Sequence, residues 1–230
     1  MAVNNIVHDY FGTCGIEIVG FADLSSLPPL ERENFPFGIV FGIPYSRKAM
    51  IENNRDSLGL CYDEYCTYNQ RMADIGIGLA QELADLGFKA SAKPQFAIMP
   101  DEDLRSILPY KTVARLAGIG WIGKCALLVN EQYGSAFRVS TVLTNAPLDC
   151  GAPLEASQCE DGCTVCKDVC PGDAPSGRLW ELGMDRSDFF DAAACSEAAQ
   201  RRAEALLGLD HTICALCMSN CPLTRRAMGY

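Results

Sequence analysis

The chain has 230 residues, 49% of them hydrophobic, a formal charge of −10 and 13 cysteines. That length suits one large domain, or a medium domain with a smaller neighbour. No run of 18 uncharged apolar residues offers a membrane span, and Met1–Asp9 lacks the basic and apolar regions of a secretory signal. Lys and Arg are scattered along an acidic chain, which disfavours nucleic acid, because such binding rests on neutralising phosphates. Many thiols without a signal segment fit a reducing cytoplasm, where they stay available to metal.

An α/β pattern occupies residues 1–150, expected as a domain for cofactor or substrate. Ile16–Ala22 and Gly38–Ile43 read as short buried strands bounded by Gly and Pro. A long helix is predicted from about Asp63 to Leu86. Met72, Ile75, Leu79, Leu83 and Leu86 recur there at three- and four-residue steps, and Gly87 follows as a stop. Gly76 and Gly78 inside that helix either weaken it or mark close packing against a neighbour. Phe88–Ser91 and Phe96–Met99 are weak strands, and Tyr110–Ala117 is a short helix. Ala126–Asn130 and Ala136–Leu143 read as strands joined by a turn at Tyr133–Gly134. Residues 151–230 are loop-rich, with one Ala-rich helix around Phe189–Leu207, and form the second domain of an α+β chain.

Gly118-Ile-Gly-Trp-Ile-Gly-Lys-Cys125 nearly matches two nucleotide motifs. Gly118, Gly120 and Gly123 satisfy G-x-G-x-x-G, but that fingerprint needs a strand before it and a helix after it. The order here is helix, then strand. The G-x4-G-K-C reading puts Cys125 where Ser or Thr should hold magnesium. A glycine-rich turn with Trp121 packed in the core is the simpler reading.

The second domain repeats one cysteine pattern. Cys163-Thr-Val-Cys166-Lys-Asp-Val-Cys170-Pro171 and Cys214-Ala-Leu-Cys217-Met-Ser-Asn-Cys221-Pro222 are both C-x2-C-x3-C-P, with Cys159 and Cys195 upstream. In such runs the cysteine before proline ligates the other cluster. Crossed ligation predicts one [4Fe-4S] cluster on Cys159, Cys163, Cys166 and Cys221, and another on Cys170, Cys195, Cys214 and Cys217. Structural zinc is an alternative for C-x2-C pairs, although two proline-closed triplets suit it poorly. Disulfides suit a small secreted domain better than this chain. Cys159-Glu-Asp-Gly-Cys163 has one residue more than the usual spacing, which Gly162 can absorb in a turn of positive φ. Of the other thiols, Cys14, Cys61, Cys66, Cys125 and Cys150 read as small buried hydrophobes. Cys125 stands out among them because it follows Lys124. His211, three residues before Cys214, reads as a surface residue, and Lys111 and Arg115 as an exposed i, i+4 pair.

Ala117–Lys124, Tyr133-Gly134-Ser135 and Leu143-Thr-Asn-Ala-Pro-Leu148, followed by the doubled cysteines, resemble the epoxyqueuosine reductase family, distantly related to reductive dehalogenases. The resemblance runs over residues 10–222 and is sharp from 110 onwards. It implies a nitroreductase-like α/β domain carrying cobalamin in base-off form, and a ferredoxin-like two-cluster domain feeding it electrons. By position, Gly118, Gly120, Trp121, Gly123, Lys124, Tyr133, Gly134 and Ser135 would line the corrinoid cavity. The family's proton-donating aspartate aligns with Leu104, one step from Asp103, which is therefore the one weak catalytic candidate. No helical-repeat extension follows Cys221, so the expected substrate is a small molecule or a corrinoid rather than tRNA epoxyqueuosine. An external donor such as ferredoxin or flavodoxin is implied. The competing classes are a substrate-free electron-transfer module and a non-catalytic corrinoid-binding or assembly protein.

Overall fold

In a computed structural model, which describes residues 2–230, the elements in chain order are α1 (Val3–Thr13), β1 (Ile18–Asp23), β2 (Phe37–Pro44), α2 (Arg47–Asn53), α3 (Gly59–Asp85), β3 (Ala90–Lys93), α4 (Tyr110–Leu116), β4 (Trp121–Ile122), β5 (Leu128–Val129), β6 (Phe137–Thr144), α5 (Val165–Asp168), α6 (Ala192–Leu207), α7 (Leu216–Asn220) and α8 (Pro222–Met228). They form two compact units, each drawn from three stretches of chain. One comprises residues up to Ile43, Thr67–Ile119 and Arg138–Leu154; the other comprises Pro44–Cys66, Gly120–Phe137 and Glu155–Tyr230. The last break lies beside the division expected at 150. Residues 44–66 and 120–137 group with the later part of the chain.

The first unit is a three-layer arrangement around a sheet of order β1-β2-β6-β3. β1 and β2 run antiparallel with Phe21 opposite Ile39, and β3 and β6 run antiparallel with Ala92 opposite Val142. β2 is apolar almost throughout and buried from Gly38 to Ile43, as a strand covered on both faces must be. On one face Phe21, Ile39, Phe41 and Val142 pack with Val7 and Phe11 of α1 and with Met72, Ile75, Leu79 and Leu83 of α3. On the other face, Gly20 and Gly38 leave room for Ala117, Ile119 and Val113, so α4 lies close against the strands. The stripe read in α3 is therefore a core stripe, except that Leu86 lies past the helix end and is 45% exposed. Gly78 has a packing reason. A Cβ there would stand 2.3 Å from the Tyr10 hydroxyl, which donates to the Ile75 carbonyl at 3.0 Å.

Several boundaries differ from expectation. Phe96–Met99 is not a strand: Gln95–Ala97 form a 3-10 turn after Pro94, and the strand falls earlier, at β3. β5 and β6 do not pair. β5 joins β4 in a two-stranded ribbon, while β6 enters the main sheet; Asn130 donates to Gly134 and closes the turn between them. Arg115 is buried, not exposed, and its guanidinium donates to the Leu154 carbonyl at 2.9 Å. α1 and α2 were not anticipated. In α2, Ser46 supplies an N-cap by accepting from Ala49 N–H at 3.0 Å.

The second unit uses short helices. α6 starts at an N-cap, Asp191, which accepts from Ala194 N–H, and stops at Gly208 with φ of 67°. α8 opens with Pro222, whose missing N–H costs nothing at a helix start. α5 packs on α7. No helix among the described residues is long and apolar enough to cross a membrane.

Leu79 is fully buried at the centre of the first unit's core. Leu79→Ala is expected to lower that unit's unfolding free energy by about 3 kcal/mol. Leu86→Ala should change it by less than about 0.5 kcal/mol. Urea unfolding followed by circular dichroism checks both.

Candidate metal centre

The cysteine runs fold as two short helical hooks in the second unit. Cys166 lies in α5, Cys195 in α6 and Cys217 in α7, while Cys170 and Cys221 follow α5 and α7, each just before its proline. The side chains influence one another across the runs. The charge of Cys159 reaches Cys221, although 62 positions separate them in the sequence. Cys170 and Cys214 act likewise on Cys195. Each of these associations falls inside one of the two quartets that crossed ligation requires. Among the described residues no three His, Cys, Asp or Glu side chains converge tightly enough to hold a single ion. A cluster sets its four thiolates on separate irons, so a looser quartet suits it.

The thiols titrate as buried groups. Burial, and then Cys170 and Cys214, push Cys195 up to about 11. Burial also raises Cys221 and Cys214, against N–H groups of Thr224 and Leu223 that favour the Cys221 thiolate and one of Leu216 that favours that of Cys214. Cys166 is raised above all by its hydrogen bond to Cys125, then by burial. Thiolate ligands gathered here are a concentration of negative charge, and two cations face it. Arg202 lies near Cys214. It is fixed by Asp56 at 2.8 Å and by the carbonyl and side-chain oxygens of Asn53, both at 3.1 Å. Lys124 lies near Cys166.

Lys124 is only 3% exposed, and its ammonium donates to the carbonyls of Asp161 at 2.5 Å and Cys163 at 3.0 Å. It therefore clamps the loop carrying Cys159 and Cys163. That loop turns without Gly162 entering the left-handed region, because Cys163 N–H donates to the Glu160 carbonyl. The lysine is aimed by its own turn. Gly123 allows close approach of Val129, and a Cβ there would stand 3.5 Å from the Cys159 sulfur. Cys125 is buried and lies near both Cys166 and Cys217.

The other residues assigned to a corrinoid cavity are also packed against protein. A Cβ on Gly118 would meet the Ala152 carbonyl, one on Gly120 the Val129 carbonyl, and one on Gly134 the Thr224 backbone, all within 2.7 Å. Trp121 is buried with its indole N–H lacking an acceptor. Ser135 is buried and its N–H donates to Thr224 Oγ1 at 3.0 Å. Tyr133 is half-buried against Phe137. None of these lines a cavity of about 190 Å³ in the first unit, which lies among Leu30, Lys93, Met99, Ile107 and Leu143. Asp103 is exposed on the neighbouring loop, in a turn organised by Asp101, whose side chain accepts from the N–H groups of Asp103 and Arg105.

Sequence reasoning overlooked Arg202, though it sits seven residues after Cys195 in α6 and so shares its helix face. It also misplaced His211. The ring is wedged edge-on between Tyr62 and Tyr65 with Nδ1 buried. Cys66 is exposed, contrary to the buried reading, while Cys61 is buried and Cys14 and Cys150 are intermediate.

No protein-family model matches the chain. An epoxyqueuosine reductase from Pseudomonas aeruginosa is 26% identical over 174 residues, covering 76% of this chain and 44% of that protein. A catabolic reductive dehalogenase solved with 3-bromo-4-hydroxybenzoic acid superposes with a TM-score of 0.68 at 17% identity, over 95% of this chain and 31% of that one. The epoxyqueuosine reductase of Bacillus subtilis superposes with a TM-score of 0.60 at 15% identity, over 97% and 65%. The fold is thus one shared by reductive dehalogenases and epoxyqueuosine reductases. In sequence the chain is epoxyqueuosine reductase-like, as the residues between 110 and 222 imply. Its matches span less than half the length of the curated relatives.

Lys124→Met removes the donor to two part-buried carbonyls of the Cys159–Cys163 loop, a loss of about 1 kcal/mol. After anaerobic reconstitution, iron is expected to fall from about eight toward about four per chain. Lys124→Arg, which keeps the charge, should retain more. Iron content and thermal unfolding measure the two effects.

Proposed function

We propose that the protein is an iron-sulfur reductase that accepts electrons from an external ferredoxin- or flavodoxin-type donor. Two [4Fe-4S] clusters, on Cys159, Cys163, Cys166 and Cys221 and on Cys170, Cys195, Cys214 and Cys217, carry them toward a corrinoid or small-molecule acceptor held by the first unit. The observation that supports this best is the crossed neighbourhood of the cysteines, Cys159 with Cys221 and Cys170 with Cys195 and Cys214. When bound, the clusters supply one-electron transfer, which no side chain here offers. The chain supplies the frame. Lys124 and Arg202 offset thiolate charge, and the packing of α5 on α7 keeps the ligands ordered. A corrinoid is supported by kinship, since a solved reductive dehalogenase of this fold is linked to B12-dependent dehalogenation.

Epoxyqueuosine in tRNA is not the proposed substrate. One epoxyqueuosine reductase of this fold is solved with a tRNA stem loop. This chain carries a net charge of −10 and has Leu104 where the resemblance aligns the proton donor. A substrate-free electron-transfer module is the second reading. It is favoured by the packing of Gly118, Gly120 and Gly134 against backbone, which leaves no cradle for a macrocycle at those positions. The cavity of about 190 Å³ is also smaller than the ~300–1,000 Å³ usual for ligand pockets, so it suits a small molecule better than a corrinoid.

Titration of the reconstituted protein with cob(II)alamin, followed by absorbance and EPR, separates these readings. Stoichiometric binding with a base-off cobalt signal would support the corrinoid acceptor. Full iron loading with an unchanged cobalamin spectrum would remove the corrinoid and leave the electron-transfer module or a small-molecule reductase. Reduction of small electrophiles by the loaded protein then distinguishes those two.

A further inference from the structure

The chain carries a net charge of −10, yet one face of the second unit is basic. His211–Tyr230 contains no Asp or Glu and ends in α8 with Arg225 and Arg226; Pro44–Ile51 contains none either and carries Arg47 and Lys48. The fold joins these two stretches. The Arg47 guanidinium donates to the carbonyls of Met228 at 2.7 Å and Gly229 at 2.9 Å, at the end of α8. The Arg225 guanidinium lies 5.8 Å from the centre of the Tyr230 ring. That ring's hydroxyl donates to the Ser219 carbonyl at 2.6 Å, between Cys217 and Cys221. Arg47, Lys48, Arg225 and Arg226 are all exposed. Lys48 pairs with Glu52 at 3.7 Å, but among the described residues no Asp or Glu pairs with Arg47, Arg225 or Arg226. Arg47 is held by neutral carbonyls, so its charge stays uncompensated. Because it satisfies the last carbonyls of α8, Arg225 and Arg226 are not needed as their partners.

We infer that this arginine face, Arg47 with Arg225 and Arg226, is the docking surface for a small acidic protein that carries one electron at a time. The inference rests on the external-donor and two-cluster reading above and gives that donor its place. Cys221, proposed for the first quartet, lies one helical turn before Arg225, whose N–H donates to its carbonyl at 2.9 Å; a turn rises about 5.4 Å. A carrier seated on the arginines is thus brought beside that ligand. One electron then leaves the reduced carrier and enters the oxidised first cluster, with no bond made and no proton moved. Charge complementarity favours this occupant. The acidic remainder of the surface repels an acidic carrier while the arginine face attracts it, so the encounter is steered to one place. Nucleic acid draws its affinity from many neutralised phosphates, which so few arginines do not supply.

The test is stopped-flow reduction of the anaerobically reconstituted protein by a reduced acidic flavodoxin, repeated with a reduced acidic ferredoxin. Arg225→Glu with Arg226→Glu is expected to keep its iron and its rate with dithionite, while the second-order rate constant with the carrier falls at least about tenfold at low ionic strength. The difference should vanish near 1 M salt, where charges are screened beyond about 3 Å. Arg225→Lys with Arg226→Lys should keep the wild-type rate. Arg201→Glu, a reversal on α6 of the same unit, should lower the rate less than Arg225→Glu alone. An unchanged carrier rate in the glutamate pair, or an equal loss with Arg201→Glu, overturns the docking surface and leaves the donor reading standing. Should the glutamates cost iron, Arg225→Gln with Arg226→Gln repeats the comparison, and an unchanged rate there overturns it. Binding of an RNA stem loop that these substitutions abolish also overturns it, in favour of a nucleic-acid face. Failure of both carriers to reduce loaded wild-type protein that dithionite does reduce overturns the external-donor reading and this inference with it.

Discussion

Gathering eight thiols into one unit of an acidic protein is an electrostatic problem before it is a chemical one, and the organisation of the second unit follows from its solution. Thiolates brought together repel one another, and burial deprives them of water. Both pressures, burial first and then the neighbouring Cys170 and Cys214, push Cys195 up to about 11. Two cations are spent on the problem, Lys124 and Arg202, and each is buried or held by fixed oxygen acceptors rather than left to solvent. A buried ammonium needs partners of its own, and the Asp161 and Cys163 carbonyls provide them. Because those carbonyls belong to the cysteine loop, satisfying the lysine also shapes the site.

That constraint reassigns the glycine-rich turn. Its small residues permit close approach, as the family resemblance implies, but the groups that approach are Val129, Ala152 and Thr224 together with the cysteine loop. Gly123 and Lys124 then act as a mount for the Cys159–Cys163 loop. The first unit follows a separate logic, with a sheet covered on both faces, one by α1 and α3 and the other by α4. A cavity beside Met99 and Ile107 is small and carries Glu31, Glu33 and Lys93 in its lining.

Much of this was legible in the residues. The stripe Met72, Ile75, Leu79, Leu83 announced the core face of α3, and the repeated proline-closed cysteine runs are the basis of the two crossed quartets proposed above. What was hidden depends on tertiary partners. Phe96 and Met99 look like strand residues, yet Pro94 removes a ladder donor and the segment turns, leaving both side chains exposed. Arg115 shows the i, i+4 spacing of a solvated pair, and only the Leu154 carbonyl, 39 positions away, explains its burial. Cys125 and Arg202 carry no local signal strong enough to separate them from ordinary buried thiols and surface cations.

The claim on which the rest stands is that the cysteines hold iron in two cubane clusters. Iron and acid-labile sulfide content, with Mössbauer spectra of anaerobically reconstituted protein, tests it most directly. The account predicts about eight irons and about eight sulfides per chain, all in [4Fe-4S] sites with cysteine ligation. Zinc in place of iron, or one cluster accompanied by four free thiols, would contradict it.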